Sequence, residues 1–164
     1  MEENKKKLLT YLQAHDVIVV ATCRNEPTAC TVYYGIDDTF NLYIVTPLKT
    51  EHGKNIAKNH KVACVVTETT QPMYATKYKI GVQIKGTARE LTNDSEMRKA
   101  LLVWSKNKKD IVEKYMHNIK NNIWQSRPHS IIPTEIKWFN EELFGVEGTK
   151  VFTSRNLNSP YYAT

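Results

Sequence analysis

The sequence has few cysteines and no long apolar run. Its three cysteines, Cys23, Cys30 and Cys64, are odd in number and widely spaced, so they form neither a metal-binding pattern nor a disulfide framework. The longest apolar runs, such as Val17–Ala21, are far too short to span a membrane, and no signal-peptide core follows the basic N-terminus. These absences predict a cytoplasmic protein whose thiols are buried and inert.

Internal repeats, low-complexity segments and interdomain linkers are also absent from the sequence. The chain has 164 residues, of which 41% are hydrophobic, and this is enough for one domain with a substantial core. We therefore expect a single domain over residues 1–152. A polar tail over residues 153–164 is expected to be loosely ordered.

Recognisable catalytic groupings are missing as well. No nucleophile lies in a pattern with a base, and no carboxylate pair stands in a credible setting, so the sequence predicts no catalytic side chain and no metal site. The formal net charge is +6, which favours anionic partners in general. Because the basic residues are not interleaved with aromatic ones in an RNA-binding motif, nucleic acid is the weaker alternative to a phosphorylated small molecule.

What the sequence does contain is a succession of short strand-like segments. A helix at Glu2–Ala14 precedes three strands joined by short turns, which predict an antiparallel meander. A short helix, two more strands, a helical insertion and a terminal hairpin follow. Strands joined by hairpins predict an antiparallel sheet, and six to seven of them are enough to close a small barrel.

The second half of the chain carries more specific predictions. Tyr74–Leu91 has the alternation of a long strand, in which Gly81 and Gly86 indicate bulges or the close approach of another group. Arg127–Pro133 is predicted to be a loop. The terminal hairpin is predicted from Thr134–Phe139 and Leu143–Phe152.

The stretch from Thr46 to Ile56 joins a predicted strand to a predicted helix. Pro47 cannot donate to a ladder and should end the strand, and Thr50 is a suitable N-cap for the helix. The free N–H groups at a helix N-terminus favour an anion. Around them the sequence supplies two hydroxyls, two ammonium groups and an imidazole, on Thr46, Thr50, Lys49, Lys54 and His52. The stretch is therefore interpreted either as a phosphate cradle or as an ordinary capped helix with a solvated basic face.

The order of these elements, with four short signatures, resembles the flavin-binding split-barrel proteins related to pyridoxamine 5′-phosphate oxidase. The signatures are Glu26-Pro27 followed by the strand Ala29–Tyr34, the stretch Leu42–Ile56, the strand Gly81–Gly86 and the segment Ile132–Phe139. The resemblance implies a mainly β fold, an antiparallel split β-barrel with peripheral helices. It also implies a homodimer that binds FMN in clefts at the subunit interface.

The resemblance further implies which residues hold the FMN. The flavin ring would lie against the second strand, at Cys30, Thr31 and Val32, with Gln83 near the ring's carbonyl edge. The phosphate would be held by Thr46, Lys49, Thr50 and His52, with Lys54 close by. Trp138 or Phe139 would pack toward the flavin from the partner subunit.

The sequence departs from the oxidase at its basic positions. Cys30 and Gly35 stand at the two ends of the second-strand motif where the oxidase has basic residues, and His52 replaces a basic phosphate-binding residue. The oxidase's Arg-x-His substrate motif is not visible around Gly145–Lys150. The expectation is therefore an FMN-dependent oxidoreductase of unknown substrate, with NAD(P)H as electron donor. The alternatives are a non-enzymatic flavin or haem binder on the same fold and a basic nucleic-acid-binding barrel.

Overall fold

The structure, a computed structural model, describes residues 2–68, 71 and 79–157. The elements in chain order are α1 (Glu2–Gln13), β1 (Val17–Cys23), β2 (Pro27–Ile36), β3 (Leu42–Pro47), α2 (Glu51–Lys58), β4 (Lys61–Thr67), β5 (Ile80–Glu90), α3 (Asp94–Trp104), α4 (Lys109–Lys120), β6 (Ser126–Asn140), α5 (Glu141–Phe144), β7 (Thr149–Thr153) and α6 (Ser154–Leu157). No helix within these ranges has the length and hydropathy of a membrane span.

The strands form one antiparallel sheet that closes on itself. Its order is β3-β2-β1-β4-β5-β6-β7, and an additional pairing between β3 and β6 closes the first six strands into a barrel. Strand β7 extends the sheet beyond the barrel along the outer part of β6. The predicted antiparallel barrel with peripheral helices is confirmed.

The barrel is open between β2 and β3 over most of their length. Residues Tyr34–Ile36 of β2 pair with β3, whereas Pro27–Tyr33 pair with β1 alone among the described strands. The first half of β2 is therefore a sheet edge inside an otherwise closed barrel.

The hydrogen-bond alternation along β2 shows which backbone groups face this opening. The N–H of Tyr34 donates to the carbonyl of Asp16 at 3.0 Å. Groups facing one neighbour alternate along an antiparallel strand, so the N–H and C=O of Ala29, Thr31 and Tyr33 point away from β1. They are the backbone groups on the side of the opening, where the Tyr33 carbonyl accepts the indole N–H of Trp104 at 3.1 Å.

The inward side chains of the strands fill the barrel, together with one stripe of α1. Ile18, Leu42, Ile84 and Trp138 are among its buried residues, and Leu8 of α1 closes one end. A second core forms where helices α3 and α4 cover β3, and it contains Tyr43, Leu91, Met97, Leu101 and Met116. The apolar stripes of the helical insertion are thus packing faces.

The predicted loop at Arg127–Pro133 is wrong, because residues 126–140 form one strand, β6. The loop was predicted because the segment contains two prolines, which are rare inside strands. Pro128 lies opposite Val45 near the end of the β3 ladder, and Pro133 lies opposite Gly86 where the register shifts. A bulge tolerates a residue without an N–H. The predicted close approach at Gly86 is confirmed, since a Cβ there would come within 2.6 Å of the Ile132 carbonyl oxygen.

The terminal hairpin is present but shorter than predicted. Instead of a strand from Leu143, the chain forms helix α5, because the Asn140 side chain accepts the N–H of Leu143 at 3.0 Å and caps it. The first part of the predicted Tyr74–Leu91 strand lies outside the described residues. The predicted tail begins with helix α6, whose Leu157 packs on the core, and residues 158–164 lie outside the described part.

Asp37 organises the turn between β2 and β3. Its carboxylate accepts the N–H groups of Thr39 and Asn41, both at 3.0 Å, and the hydroxyl of Tyr43 at 2.9 Å. Lys99 Nζ lies 3.0 Å away. Burial raises the pKa of Asp37, but the hydrogen bonds from Thr39, Lys99 and Tyr43 outweigh burial and hold the pKa below 3.8.

We expect Asp37→Asn to lower the free energy of unfolding by about 1–3 kcal/mol near neutral pH. The folded-state pKa lies below the unfolded-state value, so the stabilisation is complete well above pH 3.8 and is lost as the pH falls below it. Urea unfolding of both proteins should show a difference that shrinks between neutral and acidic pH. A difference of constant size would contradict this account of the turn.

Candidate functional site

The junction between β3 and α2 is built as the sequence predicted. Strand β3 ends at Pro47, and Thr50 is the N-cap of α2, where its side chain accepts the N–H of Gly53 at 3.2 Å. The Thr50 hydroxyl donates to the Pro47 carbonyl at 2.7 Å. A Cβ at position 53 would come within 2.6 Å of that same carbonyl oxygen. The tight turn therefore depends on Gly53 and presents the first N–H groups of α2 beside Thr50.

His52 links the two hydroxyls of this junction. Its Nε2 lies 3.1 Å from Thr50 Oγ1 and forms a short hydrogen bond with Thr46 Oγ1. Burial lowers the pKa of His52 below 6.5, although Glu51 acts in the opposite direction. The imidazole is therefore neutral near neutral pH, and an anion bound beside it would favour its protonation.

The charges around the junction favour an anion by a small margin. Lys49 and Lys54 are exposed and make no ion pair with any residue that the structure describes. Glu51, in the first turn of α2, is also exposed and adds one negative charge. Thr46, Lys49, Thr50, His52 and Lys54, which we call the cradle, are thus brought together by the fold, with Glu51 as the opposing group.

Arg127 lies beside the cradle, although the sequence analysis did not predict it as a site residue. Because β3 pairs with β6, Arg127 stands opposite Thr46, and residues directly opposite in an antiparallel pair share a face. The Arg127 guanidinium donates to the carbonyls of Trp124 and Ser126 at 2.7 and 3.0 Å. It brings a permanent positive charge to this end of the barrel.

His129 is the second residue that sequence reasoning missed. It stands opposite Ile44 on the same face as Arg127 and is 1% exposed. Burial is the main reason that its pKa is lowered, and His52 contributes in the same direction. The alternation of Arg127, His129 and Ile131 was the available signal, but it falls in the segment predicted to be a loop.

The three candidates on β2 are divided between the two faces of the strand. Cys30 and Val32 are half-buried and pack against the barrel core, while Thr31 is exposed on the outer face. The Cys30 Sγ lies 3.8 Å from the Val20 carbonyl oxygen, and burial raises the pKa of this thiol. What β2 offers a ligand is therefore backbone, the edge groups of Ala29 and Thr31, rather than a reactive thiol.

Gln83 and Phe139 lie on the outer face of the sheet, away from the cradle. Gln83 stands between Val65 and Lys137, and Phe139 stands opposite Gly81. Strands β1 and β4 lie between β2 and the strand β5 that carries Gln83, and Phe139 lies beyond the part of β6 that pairs with β3. One chain therefore does not bring these two residues to the opening beside β2.

Trp138 is the core residue of the two terminal aromatic candidates. It is 2% exposed, and its ring centre lies 6.4 Å from that of Tyr11 and 5.4 Å from that of Phe144. Its indole nitrogen has no hydrogen-bond partner within the described part of the chain. Contact between Trp138 and a cofactor stays a prediction, whereas Phe139 is half-buried and faces outward.

The family of the chain follows from a comparison of its sequence with family models. A model described as pyridoxamine 5′-phosphate oxidase matches residues 5–135. The chain belongs to this family. A search of curated proteins gives no match.

Several solved structures share the fold at low sequence identity. A Clostridium acetobutylicum protein related to general stress protein 26 is 10% identical, with a TM-score of 0.65 over 96% of this chain and 99% of that one. An FAD-binding protein from Mesorhizobium loti is 18% identical, with a TM-score of 0.59 over 82% and 91%. A haem-binding protein from Mycobacterium smegmatis is 17% identical, with a TM-score of 0.63 over 93% of this chain and 58% of that one. Identities this low establish the shared fold alone.

The different positions of Trp138 and Phe139 give a testable contrast in stability. We expect Trp138→Ala to lower the free energy of unfolding by about 3–5 kcal/mol, because it empties a large part of the core. Phe139→Ala should cost clearly less, because this ring is only half-buried. Chemical unfolding of both variants measures the contrast, and a larger loss in Phe139→Ala than in Trp138→Ala would contradict the assignment of faces.

Proposed function

We propose that this protein is a homodimeric flavoprotein that binds FMN and acts as an FMN-dependent oxidoreductase with NAD(P)H as the electron donor. The observation that carries the proposal is the free edge of β2. Strands β2 and β3 pair at Tyr34–Ile36 and then diverge, and the cradle follows the end of β3. The proposed site therefore combines the free edge of β2 with the cradle, which begins at the end of β3.

The residues at this opening fit the two ends of FMN. The phosphate would meet the N–H groups of α2 and the ammonium group of Lys49. The Thr50 hydroxyl, which donates to the Pro47 carbonyl in this structure, would turn to the phosphate, and the buried Thr46 would orient His52 through their hydrogen bond. The polar edge of the flavin ring, which both donates and accepts hydrogen bonds, would meet the backbone N–H and C=O of Thr31. Glu51, in the first turn of α2, is a cradle neighbour whose charge opposes the phosphate.

Bound FMN would supply the redox chemistry itself. The chain's contribution is to position the ring and to shape its electrostatics. A backbone N–H at Thr31 would stabilise negative charge that develops on the ring's carbonyl edge when the flavin is reduced. Because the cradle would hold the phosphate at a fixed position relative to this N–H, the flavin ring would bind in one orientation.

The outer face of the sheet supports the homodimer. Outward positions Val17, Val19, Ala21, Ala63 and Val65 form a continuous apolar patch on β1 and β4. Val17 is 46% and Val65 is 39% exposed in the single chain. Apolar patches of this kind mark interaction sites, and a second copy packed here would cover this one.

Haem is the second candidate ligand, because a haem-binding protein is among the structures that share the fold. Haem requires an axial side chain such as an imidazole. The nearest imidazoles at the opening are those of His52, whose Nε2 contacts two hydroxyls, and His129, which is buried. An absorbance spectrum separates the two ligands, since flavin gives two broad bands and haem a sharp Soret band.

The FMN phosphate assignment predicts a loss that depends on the phosphate. The double variant Lys49→Ala/Thr50→Ala should weaken FMN binding by about 2–4 kcal/mol, since it removes one charge-assisted and one neutral hydrogen bond. Riboflavin, which lacks the phosphate, should bind the variant and the unmodified protein almost equally. Lys58→Ala, which removes a charge from the other end of α2, is the matched control. Equal losses for FMN and riboflavin would contradict the assignment.

The dimer assignment predicts a scattering mass of about twice 18.9 kDa at micromolar concentration. Val65→Asp should give a monomer, because it places a charge in the middle of the apolar patch. Val146→Asp introduces the same charge at a side chain that is 89% exposed and lies outside the patch, between α5 and β7, and it should stay dimeric. A monomer that binds FMN fully before any substitution would contradict the proposal.

A further inference from the structure

Three aromatic side chains of the helical insertion form a row beside the cradle. The ring centres of Trp104 and Tyr115 are 5.2 Å apart, and those of Tyr115 and Trp124 are 4.6 Å apart with the planes at 74°. All three side chains are only partly buried. The row therefore presents aromatic surface to solvent in addition to packing α3 and α4 on the barrel.

Hydrogen bonds tie the two ends of the row to the opening of the barrel. The indole N–H of Trp104 donates to the carbonyl of Tyr33, on the free edge of β2, at 3.1 Å. At the other end, the Trp124 carbonyl accepts from Arg127 at 2.7 Å. The N–H of Leu48 donates to the Gln125 carbonyl at 3.4 Å. The row thus spans from the free edge of β2 to the chain segment that leads into the cradle.

A groove opens at the cradle end of the row. Its volume is about 370 Å³ and its walls are Pro47, Tyr115, Ile123, Trp124, Gln125 and Ser126. This volume lies within the range of about 300–1,000 Å³ of small-ligand sites. Ile123 is 58% exposed, so the groove combines an aromatic wall with an open apolar one. One of its walls, Pro47, precedes Thr50 by three residues in the chain.

The charge at the groove is positive. Lys114 Nζ stands 5.9 Å from the centre of the Trp124 ring, and within the described residues it has no ion-pair partner. The neighbouring carboxylate of Glu113 is paired with Arg98. An aromatic surface under an ammonium group, next to an anion site, is the chemistry that binds a base and its phosphate together.

We propose that this groove binds the adenosine phosphate part of a dinucleotide, with the adenine against Trp124 and Tyr115 and the adjacent phosphate at Lys114. The proposal rests on the proposed flavin site, because the cradle would hold the other phosphate of the same molecule or of a neighbouring one. The same chemistry occurs in the AMP half of FAD and in the ADP half of NAD(P)H. The experiment below separates the two.

The test compares the binding of FMN, FAD and AMP to the purified protein after any bound flavin has been removed. Stacking of the adenine should make FAD bind about five- to hundredfold more tightly than FMN. Trp124→Ala should remove this difference while FMN binds unchanged, and Trp124→Phe should keep most of it. Lys114→Ala should weaken AMP and FAD binding. Lys120→Ala is its control, because it removes a charge from the same helix at a residue that is ion-paired with Asp94.

The outcomes distinguish the groove from the flavin site. If FMN binds but FAD binds no more tightly and neither AMP nor NADPH binds, the groove proposal is overturned and the proposed function stands. If no flavin binds but AMP binds and Trp124→Ala abolishes it, the proposed function fails and the groove proposal stands. If the FMN-loaded protein binds NADPH and loses this binding in Trp124→Ala, the source is the electron donor. If FAD displaces AMP from the protein, the source is the cofactor. Equal AMP affinity in the Ala and Phe variants at position 124 would overturn the proposal.

Discussion

The divergence of β2 from β3 is the feature on which the rest of the site depends. The two strands pair for three residues, and at that point the end of α3 meets β2. A Cβ at Gly35 would come within 2.5 Å of the Val103 carbonyl oxygen, so the close approach of α3 requires glycine at this position. Trp104 then satisfies the Tyr33 carbonyl. From Tyr33 back to Pro27, the backbone groups of β2 that point away from β1 have no described strand beside them.

An unpaired strand edge is normally a hazard, because it can recruit another chain. In this protein the edge lies inside the opening of a barrel, and the aromatic row connects its Tyr33 end to the segment that precedes the cradle. The apolar patch on β1 and β4 is a second surface that a lone chain leaves exposed. A flavin at the edge and a second copy on the patch would cover both surfaces.

The elements whose signals are local could be predicted from sequence. Thr50 is recognisable as a helix cap because capping depends on a few consecutive residues, and β1 and β4 follow from short apolar runs. Long-range pairing could not be predicted in the same way. The segment that contains Pro128 and Pro133 has the composition of a loop. It is a strand because β6 pairs with both β3 and β5. As a result Arg127 and His129 were missed as neighbours of Thr46 and Ile44. The aromatic row could not be predicted from sequence, because it joins residues of α3, α4 and the segment after α4, and the exposure of its rings depends on tertiary structure.

The most direct test of the account is amide hydrogen exchange along β2 with and without saturating FMN. The N–H of Thr31 points to the opening, whereas those of Cys30 and Val32 point to β1, so the neighbours serve as internal controls. The account predicts that Thr31 exchanges rapidly in the free protein and becomes strongly protected when FMN binds, while Cys30 and Val32 are protected in both states. Equally rapid exchange at Thr31 in the FMN-saturated protein would show that the flavin ring does not lie on the free edge of β2.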